Sequence, residues 1–403
     1  MTGEILFLCH RIPFPPDRGD KIRSYHLLKA LMEIAPVHVG TFADDERDAS
    51  FAPDLARLAA SQLVLPRSNN RLTAGLRGLT RQQPMLVALY DHPLMHEWVR
   101  ERLENRPISA VVAYSVQMAH FVPVLPASTR FVMDFVDFDS AKYAAYGAEQ
   151  GGPMGWVNRR EGRMLFDFEK AVAQRADSAV FVSEAEAQLF CERAGLSDER
   201  IGWYDNGVDY RFFDPASAFD PVDKGKGPLL VFTGQMDYRP NIEAVESFAQ
   251  NALPAIRAVH PHARFAIVGR NSTPAGQALA AHPGVIFTGG VPDVRGWLTA
   301  ADLVVAPLRI ARGIQNKVLE AMAMARPVVA SAQAAEGIDA RHGEHLMIAR
   351  QPEQEAELVL SLLAQPDKAA QLGKAARDRV IERYDWQATL ASLPALLAGM
   401  HGG

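Results

Sequence analysis

The stretch LVVAPLRIARGIQNKVLEAMAMARPVVAS, Leu303 to Ser331, spells a strand, a Gly-containing loop, a helix and a second strand, and it constrains the fold more than any other part of the chain. The apolar run Leu303 to Ala306 suits a buried strand. Pro307 and Gly313 punctuate the loop, and Gly313 to Met324 has helix composition ended by Pro327. Strands joined through helices pair in parallel, and a parallel sheet must be covered on both faces. The same alternation recurs along most of the chain. It predicts strands at Ile5 to Cys9, Val37 to Phe42, Gln62 to Leu65, Ala110 to Ala113, Arg130 to Val136 and Ala179 to Val182. A second set falls at Leu229 to Thr233, Phe265 to Val268, Val285 to Thr288, Leu303 to Ala306 and Val328 to Ala330. Between the sets lies DPASAFDPVDKGKGP, residues 214–228, polar, rich in Pro and Gly and without apolar periodicity, which reads as a linker. The expectation is an α/β chain with two doubly wound domains, 1–213 and 229–385, and a terminal segment 386–403.

At 403 residues the chain exceeds one ordinary core, which supports two domains. Hydrophobic content of 48% with 22% charged residues describes a globular protein, and a net charge of −5 argues against general nucleic-acid binding, which needs a basic surface. Two cysteines, Cys9 and Cys191, give neither a disulfide framework nor a metal-ligand spacing, so a reducing, cytoplasmic setting is expected. No signal-like start or bilayer-length apolar run is present, so any membrane contact is expected to be peripheral.

A helix N-terminus offers unpaired N–H groups to an anion, so Gly313, Ile314, Gln315 and Asn316, with Lys317 one turn in, are placed to hold a diphosphate. Glu320 falls on the same helix face, suited to accept hydrogen bonds from ribose hydroxyls. The alternative is a surface Lys–Glu pair on a crossover helix.

Long stretches resemble the retaining GT-B glycosyltransferases of glycosyltransferase family four. They are ADSAVFVSEAEAQLF (176–190), ERIGWYDNGVDYRFFDP (199–215) and VFTGQMDYRPNIEAVESF (231–248). HRIPFPPDRGDKIRSYH, DFVDFDSAKY and the 307–331 segment look closest to sugar transferases associated with bacterial PEP-CTERM/exosortase and exopolysaccharide loci. The resemblance implies two facing Rossmann-like domains, a terminal helix (Trp386 to Leu397) crossing back to the first, and a nucleoside-diphosphate sugar as donor. It implies a saccharide or lipid-linked acceptor. It also puts Gly234, Gln235 and Arg239 beside the donor diphosphate, Arg270 near the nucleoside, the backbone around Val291 at the base, and Gly19 near the transferred sugar. No metal or other cofactor is expected, because Lys317 and the helix N-terminus supply the positive potential.

Two positions depart from the family. Its members commonly carry two Glu with seven residues between them, but Arg312 stands where the first would be. Where they often place a His after the strand Arg130 to Val136, this chain has Asp137 and Asp139. Arg312, Asp137 and Asp139 are therefore the catalytic candidates. Strand alternation would put the two acids on one side as a pair, and the competing role for Asp139 is helix capping. In the loop after the first strand, Asp17, Arg18, Asp20, Lys21 and Arg23 offer further charges to donor or acceptor, or Asp20 caps a helix with Lys21 and Arg23 exposed. His26 and His120 are left outside the site. Arg67, Arg71, Arg77 and Arg81 form an acid-free run with Leu72, Leu76 and Leu79, suited either to an anionic membrane surface or to solvent. A sugar-nucleotide epimerase and a non-catalytic nucleotide-sugar-binding scaffold are the rival functions.

Overall fold

The computed structural model describes residues 3–16, 19–67, 83–270, 278–311 and 313–398. Arg312, Asp17, Arg18, Arg71, Arg77 and Arg81 lie outside the described residues. The chain divides into two compact units, the first comprising Met1–Asp205 with Leu390–Gly403 and the second Asn206–Thr389.

The first unit is a seven-stranded, wholly parallel sheet of order β3-β2-β1-β4-β5-β6-β7. Its strands are β1 (Glu4–Cys9), β2 (Val37–Ala43), β3 (Ser61–Pro66), β4 (Ile108–Tyr114), β5 (Arg130–Val136), β6 (Ser178–Phe181) and β7 (Ile201–Trp203). Ile5, Leu6, Phe7, Leu8 and Cys9 are all fully buried, as a central strand covered on both faces requires. The second unit repeats the plan with six parallel strands, order β10-β9-β8-β11-β12-β13. They are β8 (Leu229–Thr233), β9 (Arg264–Val268), β10 (Val285–Gly289), β11 (Leu303–Ala306), β12 (Val328–Ser331) and β13 (Met347–Ala349). In each sheet the strand order reverses beside the first strand, β1/β4 in one and β8/β11 in the other. The crevice at the carboxyl ends of such a pair is where doubly wound sheets bind ligands.

The sequence reading differs from the structure at several points. The three-residue strands β7 and β13 are too short to show a period. The unit boundary falls at Asp205/Asn206, because the segment after it is tied to the second unit: the Val208 N–H donates to the Tyr384 carbonyl (2.7 Å) and Arg377 donates to the Phe213 carbonyl (2.9 Å). The terminal segment changes unit at Leu390. Trp386–Thr389 belongs to the second unit, and the helix Leu393–Ala398 packs on β5 in the first. Two helices follow β5. Asp139–Glu149 ends, and Gly152–Arg175 begins at Gly152 with φ +67°, a left-handed backbone that glycine tolerates. Leu165 and Val172 on the second helix are core, whereas Met164 and Phe168 are half-buried.

Candidate functional site

In the second unit the β8/β11 crevice gathers the donor candidates. β8 ends at Thr233, after which Gly234 donates its N–H to the Val268 carbonyl (3.0 Å). A Cβ at Gly269 would stand 1.7 Å from the Gly234 carbonyl oxygen, so the β8 and β9 loops approach as closely as glycine permits. Asn241 is buried two residues past the exposed Arg239. Its Nδ2 donates to the Gln235 carbonyl (2.8 Å), and its Oδ1 accepts from Lys317 Nζ (2.5 Å). One amide thus couples the loop after β8 to the helix Asn316–Ala323 after β11. The ammonium also sits 4.6 Å from the centre of the Phe232 ring.

Gly313 takes φ +62°, and Ile314 is buried, which anchors the loop just before the helix. Gln315 occupies the N-cap position without a side-chain capping bond, its Nε2 reaching the Gly313 carbonyl at 3.3 Å. Asn316 Oδ1 and Thr233 Oγ1 are buried with no hydrogen-bond partner in the protein. Burial pulls the Lys317 ammonium down to about 7 and pushes the Glu320 carboxyl up to about 7, each shift opposed by the charge of the other. A desolvated lysine, two orphan polar oxygens and a helix N-terminus in one crevice are groups an anionic, hydroxyl-bearing ligand would satisfy.

The other donor candidates are less enclosed. Arg239 pairs with Glu243 (2.6 Å) on an exposed helix turn, its side chain 80% accessible, so it is the solvated arrangement rather than a buried fork. The Arg270 carbonyl accepts the Met236 N–H (2.8 Å), and its side chain lies against Gly290, where a Cβ would meet Cγ at 2.4 Å. Val291 is half-buried against the core.

In the first unit, Gly19 opens the helix Gly19–Ile34 and is exposed. The charges that follow it are consumed within the protein. Arg23, 1% exposed, binds Asp134 (Nε–Oδ2 3.2 Å) and the Tyr204 carbonyl (2.9 Å), and Tyr204 donates its hydroxyl to the same carboxylate. Lys21 pairs with Asp48 at 2.8 Å, and Asp20 accepts from Arg11 and lies 3.3 Å from His10 Nε2. Neither the exposed-face reading nor the ligand reading of Lys21 and Arg23 stands, because burial and a carboxylate partner fix both.

Asp137 and Asp139 do not sit on a strand. β5 stops at Val136, whose φ of +68° is strained for a β-branched residue, and Asp139 is the first residue of the helix Asp139–Glu149. They still meet, through Lys142, whose Nζ lies 2.5 Å from Asp137 and 3.3 Å from Asp139. Burial works against the lysine's charge, but the two carboxylates prevail and raise its pKa. Burial also pushes Asp139 up. Asp139 makes no side-chain capping bond, and Phe138 holds the N-cap position. The acids are therefore a lysine-bridged cluster rather than a free pair. No sequence signal singles out His10, which directly follows β1 and is stacked on Tyr114 (5.8 Å between ring centres) with Nδ1 buried and unpartnered. Asn241 is not singled out either; the only hint is its place one residue after Pro240.

Residues 227–365 match the family model of glycosyl transferases group 1. That match lies within the second unit. A phosphatidyl-myo-inositol mannosyltransferase of Propionibacterium freudenreichii is 30% identical over 163 residues, 40% of this chain and 39% of that relative. A glycogen synthase of Mycobacterium tuberculosis is 24% identical over 347 residues, 81% of each chain. Among solved structures, Anabaena HepE in complex with UDP and glucose superposes with a TM-score of 0.70 at 16% identity, covering 98% of this chain and 99% of that one. Sucrose-phosphate synthase from Thermosynechococcus elongatus gives 0.67 at 17% identity, covering 98% of each. These superpositions extend over both units and agree with the GT-B fold class of two Rossmann-like domains.

Proposed function

We propose that this GT-B protein transfers a sugar from a nucleoside-diphosphate sugar to a saccharide or lipid-linked hydroxyl, with retention of anomeric configuration. The observation that carries the reading is the Asn241-bridged contact between the loop after β8 and Lys317, beside Glu320 on one helix face. In this reading Lys317 and the N–H groups from Gly313 to Asn316 neutralise the departing diphosphate, and Glu320 accepts from the ribose. Gly234 and Gln235 border the phosphates, Arg239 adds a peripheral charge, and Arg270 and the Val291 backbone border the nucleoside. Arg312, which lies outside the described residues and four positions before that helix in the sequence, is assigned to the transferred sugar or a donor phosphate. Asp137, with Asp139 and Gly19, orients the acceptor and stabilises positive charge at the anomeric carbon. Donor departure needs no metal, since the cationic helix mouth supplies the charge. The relatives solved with UDP and with UDP-glucose make uridine nucleotides the first donors to try.

The finer assignment, synthesis of bacterial exopolysaccharide or cell-surface glycan by a PEP-CTERM-associated type of enzyme at the inner face of the plasma membrane, rests on the sequence resemblance. Among the described residues no helix is long and apolar enough to cross a membrane. Arg67, the one described arginine of the basic run, pairs with Asp44 at 3.2 Å, so that run is not wholly free of acidic partners. Incubation with UDP-, GDP- and ADP-sugars and a mixed saccharide acceptor tests the function. Nucleoside diphosphate release with formation of a glycoside of the donor's anomeric configuration supports it. Epimerised sugar would favour the epimerase, and binding without turnover the scaffold.

A further inference from the structure

Apart from the crevices described above, the first unit carries a convergence of metal-ligating side chains that the transferase reading does not use. Asp91 precedes the helix Pro93–Asn105, His96 lies in that helix's first turn, and His120 sits in the 3-10 turn Val116–Phe121 that follows β4. His96 Nε2 lies 3.1 Å and His120 Nε2 3.2 Å from the same oxygen, Asp91 Oδ1. The two imidazoles meet edge to face with centres 4.9 Å apart, and one ligand atom from each of the three residues lies within 4.8 Å of the others. We propose that Asp91, His96 and His120 bind a divalent transition-metal ion, zinc first, through two imidazole nitrogens and a carboxylate oxygen.

The spacing fits. Tetrahedral zinc with bonds of about 2.0–2.1 Å to nitrogen and oxygen sets its ligands roughly 3.3 Å apart, so the three atoms need small rotations to admit an ion. The donor set selects among cations: nitrogen-rich sites favour zinc and its d-block neighbours, whereas calcium and magnesium prefer all-oxygen shells. Carboxylate and neutral imidazole are the ligating forms. Arg175, the cation that acts on His120, is engaged with the Ala119 and Val122 carbonyls. Side-chain exposures of 19% for Asp91, 35% for His96 and 21% for His120 leave an approach for the ion and a fourth, water ligand. A bound ion would fasten the helix Pro93–Asn105 to the turn that ends β4, a positioning role separate from donor departure. The competing account is a carboxylate that merely accepts from two imidazoles.

The full chain, stripped with a chelator and dialysed, would be titrated with zinc chloride by calorimetry and, in parallel, with cobalt(II) followed by visible absorption. One zinc per chain at micromolar affinity or tighter, with cobalt bands of a nitrogen-ligated site, is expected. Asp91→Asn, His96→Ala and His120→Ala should each weaken binding at least about tenfold, while His262→Ala, on an exposed turn, should not. Circular dichroism in chelator checks that each variant folds, and Asp91→Asn, which keeps side-chain shape, decides the matter if a histidine variant does not. Unchanged zinc affinity in the folded variants, or no stoichiometric binding by the parent chain, would overturn the proposal.

Discussion

Lys317→Met is the most informative substitution, because the structure predicts opposite effects on stability and on ligand binding. The ammonium is desolvated and its pKa falls from 10.5 to about 7, a charge cost on the order of 5 kcal/mol by linkage. The hydrogen bond to Asn241 and the contact with the Phe232 ring return roughly 2–4 kcal/mol. Methionine fills similar volume without the charge, so the variant should be as stable as the parent or up to about 2 kcal/mol more stable near neutral pH. The sign with pH follows from the lowered folded-state pKa. Between about 7 and 10.5 the unfolded chain holds a proton that the native lysine has lost, so the lysine's penalty is full below pH 7 and is relieved as pH rises towards 10.5. Denaturant melts of both proteins across that range should therefore converge at high pH. Donor binding should move the other way, weakening by about 1.5–3 kcal/mol, or roughly ten- to a hundredfold, through loss of a charge-assisted contact to diphosphate. A Lys317→Met protein that is clearly destabilised and binds donor normally would show the lysine to be a structural strut and refute the reasoning.

Glu320→Gln should keep the fold and lose much of donor affinity or turnover, since ribose hydroxyls need a strong acceptor; normal transfer by the variant removes the ribose role. Asp137→Asn should preserve donor binding and lower kcat by about two to four orders of magnitude, the scale of a positioned acid–base group. Its side chain is 40% exposed in the pairing with Lys142, so the stability loss should stay below about 1 kcal/mol, and a variant that loses stability alone would move catalysis elsewhere. Glu169, buried beside Ser140, is pushed up to about 8. Its native form holds a proton that the unfolded chain releases above about 4.5, so stability should fall as pH climbs from 4.5 to 8. Glu169→Gln should flatten that slope, and an unchanged pH profile would mean that Glu169 is ionised in the native state.

Central strands were the most legible part of the chain. Five consecutive apolar residues, Ile5 to Cys9, or the run Leu303 to Ala306, leave little choice but a sheet covered on both faces. Edges were less so: β7 and β13 are three residues each, and the boundary at Asp205 depends on pairings with Tyr384 and Arg377 that are distant in sequence. At the candidate site, Lys317 and Glu320 were readable from helical spacing. Asn241 was not, because its function is a tertiary bridge between two crossovers. Charges misled where burial decides. Lys21 and Arg23 read as solvent-facing or ligand-facing, yet Asp48 and Asp134 meet them across the fold. The Asp91, His96 and His120 convergence spans β4 in the chain, with His120 some two dozen residues beyond the acid–His pair, so no local spacing announces it.

Calorimetric titration of the purified chain with UDP-, GDP- and ADP-sugars, in buffer containing a metal chelator, tests the central claim most directly. The account predicts saturable one-to-one binding of at least one of these donors, weakened in Lys317→Met and weaker as pH rises above 7, where the unliganded lysine loses its proton. Absence of binding for every donor, or binding indifferent to Lys317, would contradict it.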